Sequence, residues 1–403
     1  MLDIARIALI LGLILFLLRK GVKIGHVMLI SALAVVIFYG MDASGMVRAA
    51  KKAITERISI MLLLSLSLIR IFELILREQK ILSKMMGTIK SSFGFRKAVM
   101  ISMPVLMGML PSLGGAYFSA PMVRDATEGT GMGNEEKAFI NYWFRHPWEY
   151  ILPLYPGIVF ASAVSGIGLN TLIIANISCA AMMIITGFLF SMRGAGSAVS
   201  PVQESDHDPS PGSSRAWFNF LPIAAVLALV IAFHIELHYA LLAVLIPLFV
   251  YYRYGPARII QAIRYGFSYE VVVMVTGIML FKETMETSGA VANLSDIFIK
   301  HGVPVVPVFC ALPFIAGILT GHTVGFVGST FPLLVTIAGK ESLPLISLAF
   351  AAGFIGVLLS PVHLCLILTR EYFTAELPGI YRKTVPASLM ILAVAYAQYV
   401  FVR

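Results

Sequence analysis

Charge is what this sequence has least of. Asp, Glu, Lys and Arg make up 13% of its 403 residues, about half the share of an ordinary soluble domain. That is too little polar surface to coat a water-soluble globule of this size, which excludes a soluble enzyme or a soluble nucleic-acid-binding domain. The charge present is also clustered. None falls between Tyr150 and Met192, between His301 and Gly339, or between Ser342 and Thr369. Each gap exceeds the roughly 20 apolar residues that one membrane-spanning helix needs. Alternation is lacking as well: the apolar runs are continuous and do not read as strands of a membrane barrel. Acidic residues are outnumbered, 21 against 30 Lys and Arg, for a net charge of +9. In so apolar a chain that excess reads as membrane topology, not as affinity for nucleic acid. Cysteine is limited to Cys179, Cys310 and Cys365, all in apolar stretches and none in a CxxC pair. That leaves no disulfide framework and no thiolate metal motif. No P-loop, HExxH or GxSxG motif occurs, which argues against a nucleotide-driven pump or a known class of hydrolase.

What is there is a set of apolar windows, and they predict an all-α polytopic membrane protein. Ten candidate spans run Ile4–Leu18, Val22–Tyr39, Ile58–Leu76, Trp148–Ser165, Leu169–Leu189, Trp217–Ile235, His238–Tyr252, Tyr269–Phe281, Ser347–Leu368 and Val385–Val402. The N-terminal run has no basic start and no small-residue cleavage site, so it reads as a retained first span. Two further apolar stretches, 99–123 and 303–335, carry prolines towards both ends and glycines between them. Such sequences suit re-entrant hairpins better than straight helices. The segment 191–215 is rich in Ser, Gly, Pro and Asp and reads as a linker,.

The linker divides the chain into comparable halves, 1–190 and 216–403, each with five spans and one hairpin. Within the hairpins Pro104 aligns with Pro313, Gly108 with Gly317, Leu110 with Leu319, Gly114 with Gly325 and Pro121 with Pro332. Upstream, Leu82-Ser83 aligns with Leu294-Ser295, and downstream Pro156 aligns with Pro361. An internal repeat of five spans must be inverted in its second copy. Placing the N-terminus outside puts 20 of the 30 Lys and Arg on the cytoplasmic side. The expected topology therefore has both termini outside the cytoplasmic membrane and the linker inside.

Irregular backbone at membrane depth survives only when buried in protein or lining a wet cavity. The predicted site gathers four such places. The first hairpin tip offers Ser112, Gly114 and Gly115, and the second Thr320, His322 and Thr323. The helix break at Leu154-Tyr155-Pro156-Gly157 offers Tyr155 and Pro156, and the break at Leu359-Ser360-Pro361 offers Ser360, Pro361 and His363. Half-helix N-termini attract anions, and freed carbonyls and hydroxyls suit a small cation. His322 and His363 read either as ligand or proton carriers or as structural hydrogen-bonding residues, and neither stands at a recognised metal-ligand spacing. Arg70 and Glu73 share a helix face in the third span, opposite Lys282, Glu283 and Glu286 in the second half; the latter group reads as an ion pair near the interface. The run Asn141–Tyr150, NYWFRHPWEY, reads first as an interfacial aromatic belt. The other reading has Arg145, His146 and Glu149 lining a cytoplasmic mouth. Ala49–Arg57 and Arg258–Arg264 read as amphipathic helices lying on the membrane.

The sequence resembles the ion transporter superfamily, and within it a membrane family known as domain of unknown function 401. The residues that carry the likeness are MLPSLGGAYFSAPMV at 109–123, NYWFRHPWEYILPLYPG at 141–157, GILTGHTVGFVGSTFPLL at 317–334 and LLSPVHLCLILTREYF at 358–373. The resemblance implies a scaffold and a transport domain, with substrate and cation sites at the hairpin tips and helix breaks. The Ser-Asn-Thr tip of dicarboxylate carriers is missing, so substrate and ion do not carry over. The expected function is a secondary active transporter of a small, anionic metabolite, not an enzyme. It has no cofactor beyond Na⁺ or H⁺ as coupling ion. The expected partners are that substrate and the lipid bilayer, with a homodimer left open and no nucleic acid. An intramembrane enzyme, using His363, Cys365 and Glu149, and an ion channel are the rival readings.

Overall fold

The structure is a computed structural model that describes residues 2–92, 96–109, 115–191, 214–290, 304–338 and 343–402. Every regular element among these residues is helical. The predicted linker from 192 to 213, Ser112, Gly114 and the Leu294-Ser295 block lie outside the described residues.

In the first half the helices are α1 (Leu2–Arg19), α2 (Ile24–Tyr39), α3 (Ala43–Thr55), α4 (Arg57–Glu78), α5 (Ile81–Ser92), α6 (Arg96–Gly108), α7 (Gly115–Ala126), α8 (Asn134–Trp143), α9 (Trp148–Ile151), α10 (Pro156–Ser165) and α11 (Leu169–Ser191). A 3₁₀ stretch, Ser214–Phe220, then leads into α12 (Leu221–Leu227), which ends in a π turn. The rest are α13 (Leu237–Tyr251), α14 (Pro256–Gly266), α15 (Tyr269–Thr287), α16 (Val305–Thr320), α17 (Thr323–Ala338), α18 (Leu343–Leu358), α19 (Leu364–Phe373) and α20 (Leu377–Val402).

Among the described residues, four stretches are long and apolar enough to cross a membrane unaided: Arg57–Glu78, Leu169–Ser191, Pro256–Thr287, which joins α14 to the apolar α15, and Leu377–Val402. Among the others, Ile24–Tyr39, Leu237–Tyr251, Val305–Thr320 and Leu343–Leu358 are apolar but shorter. Two of the ten expected spans are broken helices. Trp148–Ser165 divides into α9 and α10, and Ser347–Leu368 into α18 and α19. The outer surface is itself apolar. Ile174, Ile177, Ile185 and Phe188 on α11, Ile246 and Val250 on α13, and Leu389 and Val400 on α20 are all exposed. Water does not tolerate an apolar surface of that extent; lipid does. The chain is a polytopic membrane protein.

Two helices depart from this pattern. On α3, Gly45, Ala49 and Ala53 are buried at four-residue spacing while Arg48, Lys51 and Lys52 are not. On α14, Ala262 and Gly266 are buried while Arg258 and Arg264 are exposed. Each therefore has an inner and a basic outer face, as a helix lying along a membrane surface requires.

The two halves interlock. α2 and α3 pack on α15, while α13 and α14 pack on α4; α10 packs on α17, while α19 packs on α7. Close approach depends on glycine. A Cβ on Gly25 would stand 2.8 Å from the Val273 and Met274 backbone, so α2 and α15 touch main chain to main chain,. Gly317 of α16 likewise meets the Gly353 carbonyl of α18.

Candidate functional site

Both helix breaks follow from proline. Proline has no N–H to give a preceding turn, and it drives the residue before it out of helical geometry. Tyr155 is accordingly extended (φ −86°, ψ 122°), and Pro156 occupies the first turn of α10, where the missing donor does no harm,. After Pro361 the chain re-enters helix at Leu364, with His363 extended (φ −66°, ψ 117°) at the N-cap. The second hairpin turns at Gly321, which ends α16 in the left-handed region (φ 65°). A Cβ there would be strained, and it would stand 3.0 Å from the His363 nitrogen and the Val362 carbonyl carbon,.

Breaks and hairpin ends free carbonyl groups, and buried side chains take them up. The Tyr155 hydroxyl donates to the Gly108 carbonyl at the end of α6. Ser360 Oγ donates to Ile318 O (2.6 Å), and Trp148 Nε1 to Val105 O (2.7 Å). Tyr142 Oη and Tyr381 Oη donate to Leu358 O (2.9 Å) and Leu359 O (2.8 Å). These bonds also tie each break to a hairpin. A Cβ on Gly157 would lie 2.5 Å from Thr323 Cβ, so the first break touches both α6 and α17. The second break lies against Gly321.

At this convergence lies a buried polar cluster. Arg145 is 3% exposed and His146 1% exposed, between α8 and α9. His146 Nδ1 lies 2.6 Å from the Tyr142 carbonyl, and its Nε2 lies 3.2 Å from His363 Nε2. Glu149 Oε1 is 3.9 Å from His146 Nε2, and the Thr323 side chain lies near the Glu149 carboxyl. Cys365 Sγ lies beside His146 and within 4.8 Å of both imidazoles. A cation, two imidazoles, a carboxyl and a thiol thus meet in one place, drawn from both halves of the chain.

Of the predicted residues, the structure brings Tyr155, Ser360, Gly321's neighbours Thr320 and His322, Thr323 and His363 to this region. His363 and Thr323 belong to the cluster itself. Tyr155 and Ser360 hold hairpin carbonyls, and Thr320 Oγ1 turns back to Ala316 O (2.8 Å). His322 keeps an exposed ring at the second tip, and Pro361 is exposed beside it, while Pro156 is half-buried. Gly115 is the first residue of α7. Its carbonyl faces a neighbouring network in which Ser119 donates to Asn141 (2.6 Å) and Asn141 to Thr369 (3.1 Å). Ser112 and Gly114 lie outside the described residues.

The reading of Asn141–Tyr150 as an interfacial belt is corrected. Tyr142, Trp143 and Tyr150 are completely buried, whereas a belt at the lipid headgroups must be accessible. The same correction brings Arg145, His146 and Glu149 into the site. The signal was present: charges directly before a Leu-Tyr-Pro-Gly break, at the edge of a long uncharged stretch. Cys365 was visible only as His363-x-Cys365. Two cavities, about 300 Å³ beside Glu236–His238 and about 450 Å³ beside Arg370–Glu376, lie away from the cluster.

A family model described as "Protein of unknown function (DUF401)" matches residues 4–402. No curated protein matches the sequence. Among solved structures, the Alcanivorax borkumensis YdaH transporter, described as having an unusual topology, is similar over 90% of both chains, with a TM-score of 0.58 and 13% identity. At that identity the likeness is one of fold.

Proposed function

The chain belongs to that family, DUF401, and we propose that it is a secondary active transporter of a small, anionic metabolite, coupled to H⁺ or Na⁺ across the cytoplasmic membrane. The observation that carries this reading is the convergence of two hairpins and two proline breaks on one buried cluster. A helix break at membrane depth is costly unless its free groups face protein, water or a ligand. Here they surround Arg145, whose guanidinium suits a carboxylate or phosphate, with the N-termini of α10, α17 and α19 adding N–H donors,. Glu149 and the two imidazoles are proton-carrying groups beside it. The fold shared with a transporter agrees with this reading.

Inverted repeats belong to the same proposal, and helix ends support them. Lys23, before α2, pairs with Glu270 at the start of α15, and Lys52, after α2, reaches Glu283 near its end (2.7 Å). α2 and α15 therefore run the same way. Arg57 and Glu236 (3.0 Å) join the starts of α4 and α13, and Glu78 and Tyr254 (2.6 Å) join their ends. The end of α4 also meets Tyr265, just before α15, where Arg70 lies over its ring at 4.7 Å. α4 thus runs against α2, and so does α13, the counterpart of α2. The aligned glycines Gly108 and Gly317 sit alike, against the carbonyls of Arg145 and Gly353. With the basic ends of α4 and α14 inside, both hairpins are re-entrant and both termini outside.

The test is uptake by proteoliposomes under imposed Na⁺ or pH gradients, over a panel of labelled carboxylates and phosphorylated metabolites. Gradient-dependent accumulation of one anion is expected. Currents without accumulation indicate a channel, and chemical conversion without uptake indicates an enzyme. Cysteines placed at Lys51 and Arg258 should react with an impermeant reagent from opposite sides of the membrane.

A further inference from the structure

We infer that His146, His363, Cys365 and Glu149 form a binding site for a tetrahedral transition-metal cation of the zinc type. The four donors come from two places 217 residues apart, so no sequence spacing announces them. A carbonyl oxygen only accepts, so the 2.6 Å contact of His146 Nδ1 with Tyr142 O places the ring proton on Nδ1 and leaves Nε2 with a bare lone pair,. A metal-binding imidazole is typically held in just this way, by a backbone carbonyl on its far nitrogen. That lone pair faces His363 Nε2 at 3.2 Å. Two nitrogens about 2.05 Å from a tetrahedral zinc stand roughly 3.3 Å apart. The spacing is already that of one edge of a zinc tetrahedron.

The pair is also incomplete on its own. If His363 donates through Nε2, its Nδ1 is left as a buried acceptor with no donor in hydrogen-bond geometry. If Nδ1 carries the proton, two lone pairs confront each other. His363 is 94% buried, so water does not relieve either arrangement (6% exposed). A cation between the rings relieves the second. Cys365 Sγ, within 4.8 Å of both rings, supplies a soft third ligand; the Glu149 carboxylate, 3.9 Å from His146 Nε2 but outside that mutually close trio, turns inward to supply the fourth. Two imidazoles and a thiolate favour Zn²⁺ over Mg²⁺ or Ca²⁺, which take oxygen. Such an ion would clamp the first helix break to the second and would occupy the lone pairs of groups that carry protons only in the metal-free chain.

This inference does not rest on transport, because binding is read on the purified full-length chain in nanodiscs. Chelator-stripped protein is titrated with Co²⁺ and then Zn²⁺. The expected result is one Co²⁺ per chain, with the visible bands of four-coordinate Co(II) and a near-ultraviolet thiolate charge-transfer band, both lost on adding Zn²⁺. Cys365→Ser should remove the charge-transfer band and weaken Zn²⁺ by at least the roughly 10–100-fold that loss of an outer-shell partner costs. Cys179→Ser and Cys310→Ser should change neither. His363→Gln, which keeps a buried polar group, should abolish the four-coordinate spectrum. Zn²⁺ should raise the melting temperature of the wild type and not of Cys365→Ser. Absence of stoichiometric binding, an octahedral spectrum, or a signal unchanged by Cys365→Ser would overturn the assignment, whatever the uptake assays give.

Discussion

Two charged clusters among the described residues differ in whether their charges close on themselves. At the rim, Lys52 of α3 and Lys282 of α15 face Glu283 and Glu286, with N···O distances of 2.7 to 3.4 Å. The carboxylate of Glu283 is wholly buried but has an ammonium on either side, and Lys52 is half exposed. At the centre, beside Arg145, the side chains of His146, Glu149, His363 and Cys365 meet without such closure: an imidazole nitrogen faces another, and His363 Nδ1 has no partner. In the first arrangement each carboxylate has an ammonium beside it, and the pairs hold α3 to α15. The second has donor groups left over, and buried groups left over are the mark of a place where something binds.

The contrast breaks most decisively at Arg145. Removing one partner from a buried charged set leaves the others uncompensated, at a typical cost of about 3–5 kcal/mol. Arg145→Met should therefore lower the unfolding free energy by about that amount and abolish uptake. Adding Glu149→Gln should restore part of the stability and none of the uptake. Denaturation of the purified single and double variants, paired with proteoliposome uptake, checks both. A fully stable Arg145→Met protein would mean that the centre is as self-contained as the rim. A second, smaller effect is expected at the second tip. The His322 ring is exposed, so His322→Ala should leave the melting temperature within a degree or two, since exposed truncations change stability little. Uptake should nonetheless fall or change its ion dependence. Loss of folding together with uptake would make His322 a structural residue.

Class and helix breaks were legible because each rests on local chemistry. Long uncharged runs require lipid, and Pro156 and Pro361 cannot continue a helix whatever surrounds them. The amphipathic α3 and α14 were legible for the same reason, since basic and small residues alternate at helical spacing. What the sequence hides is the partner of each local feature. Arg145 and His146 lie in a run whose aromatic residues suit a headgroup belt equally well; only the packing of α8 against α19 and α20 shows them buried. His363 and Cys365 are two apart in sequence, but their meaning depends on His146, and no spacing rule spans 217 residues. The expected spans failed where one apolar window held two helices, because hydropathy averages over a break that a single proline makes.

At the rim the expected change is slight. Lys52→Met leaves Glu283 with Lys282 at 3.1 Å. The lost ammonium is half exposed and the buried Glu283 keeps a second one, so the loss should be near that of an exposed pair, about 1 kcal/mol,. Thermal unfolding should shift by no more than that, with uptake unaltered. An uptake loss at Lys52 as large as that at Arg145 would erase the distinction between the clusters and make the rim a gate.

The smallest effect belongs to Asp42, which caps α3 and so fixes where Lys52 begins to reach inward. Its carboxylate accepts the Ser44 hydroxyl (2.6 Å) and the Gly45 amide (2.9 Å). These bonds, that from Ser44 first, with the charge of Arg48 nearby, hold its pKa below the usual carboxylate value,. The sign follows from linkage. A carboxyl titrating lower in the helix than in the frayed chain stabilises the cap fully above the frayed-chain value, near 4, and loses that stabilisation as the pH falls through the lower, native value. Amide exchange at Gly45 and Met46, corrected for its intrinsic pH dependence, should therefore quicken only below about pH 4. Asp42→Asn keeps an acceptor at the N-cap and carries no charge, so its protection should be flat across the same range. A variant that still loses protection on acidification would place the titrating group elsewhere, with the Glu283 and Glu286 pair beneath α3 as the next residues to replace.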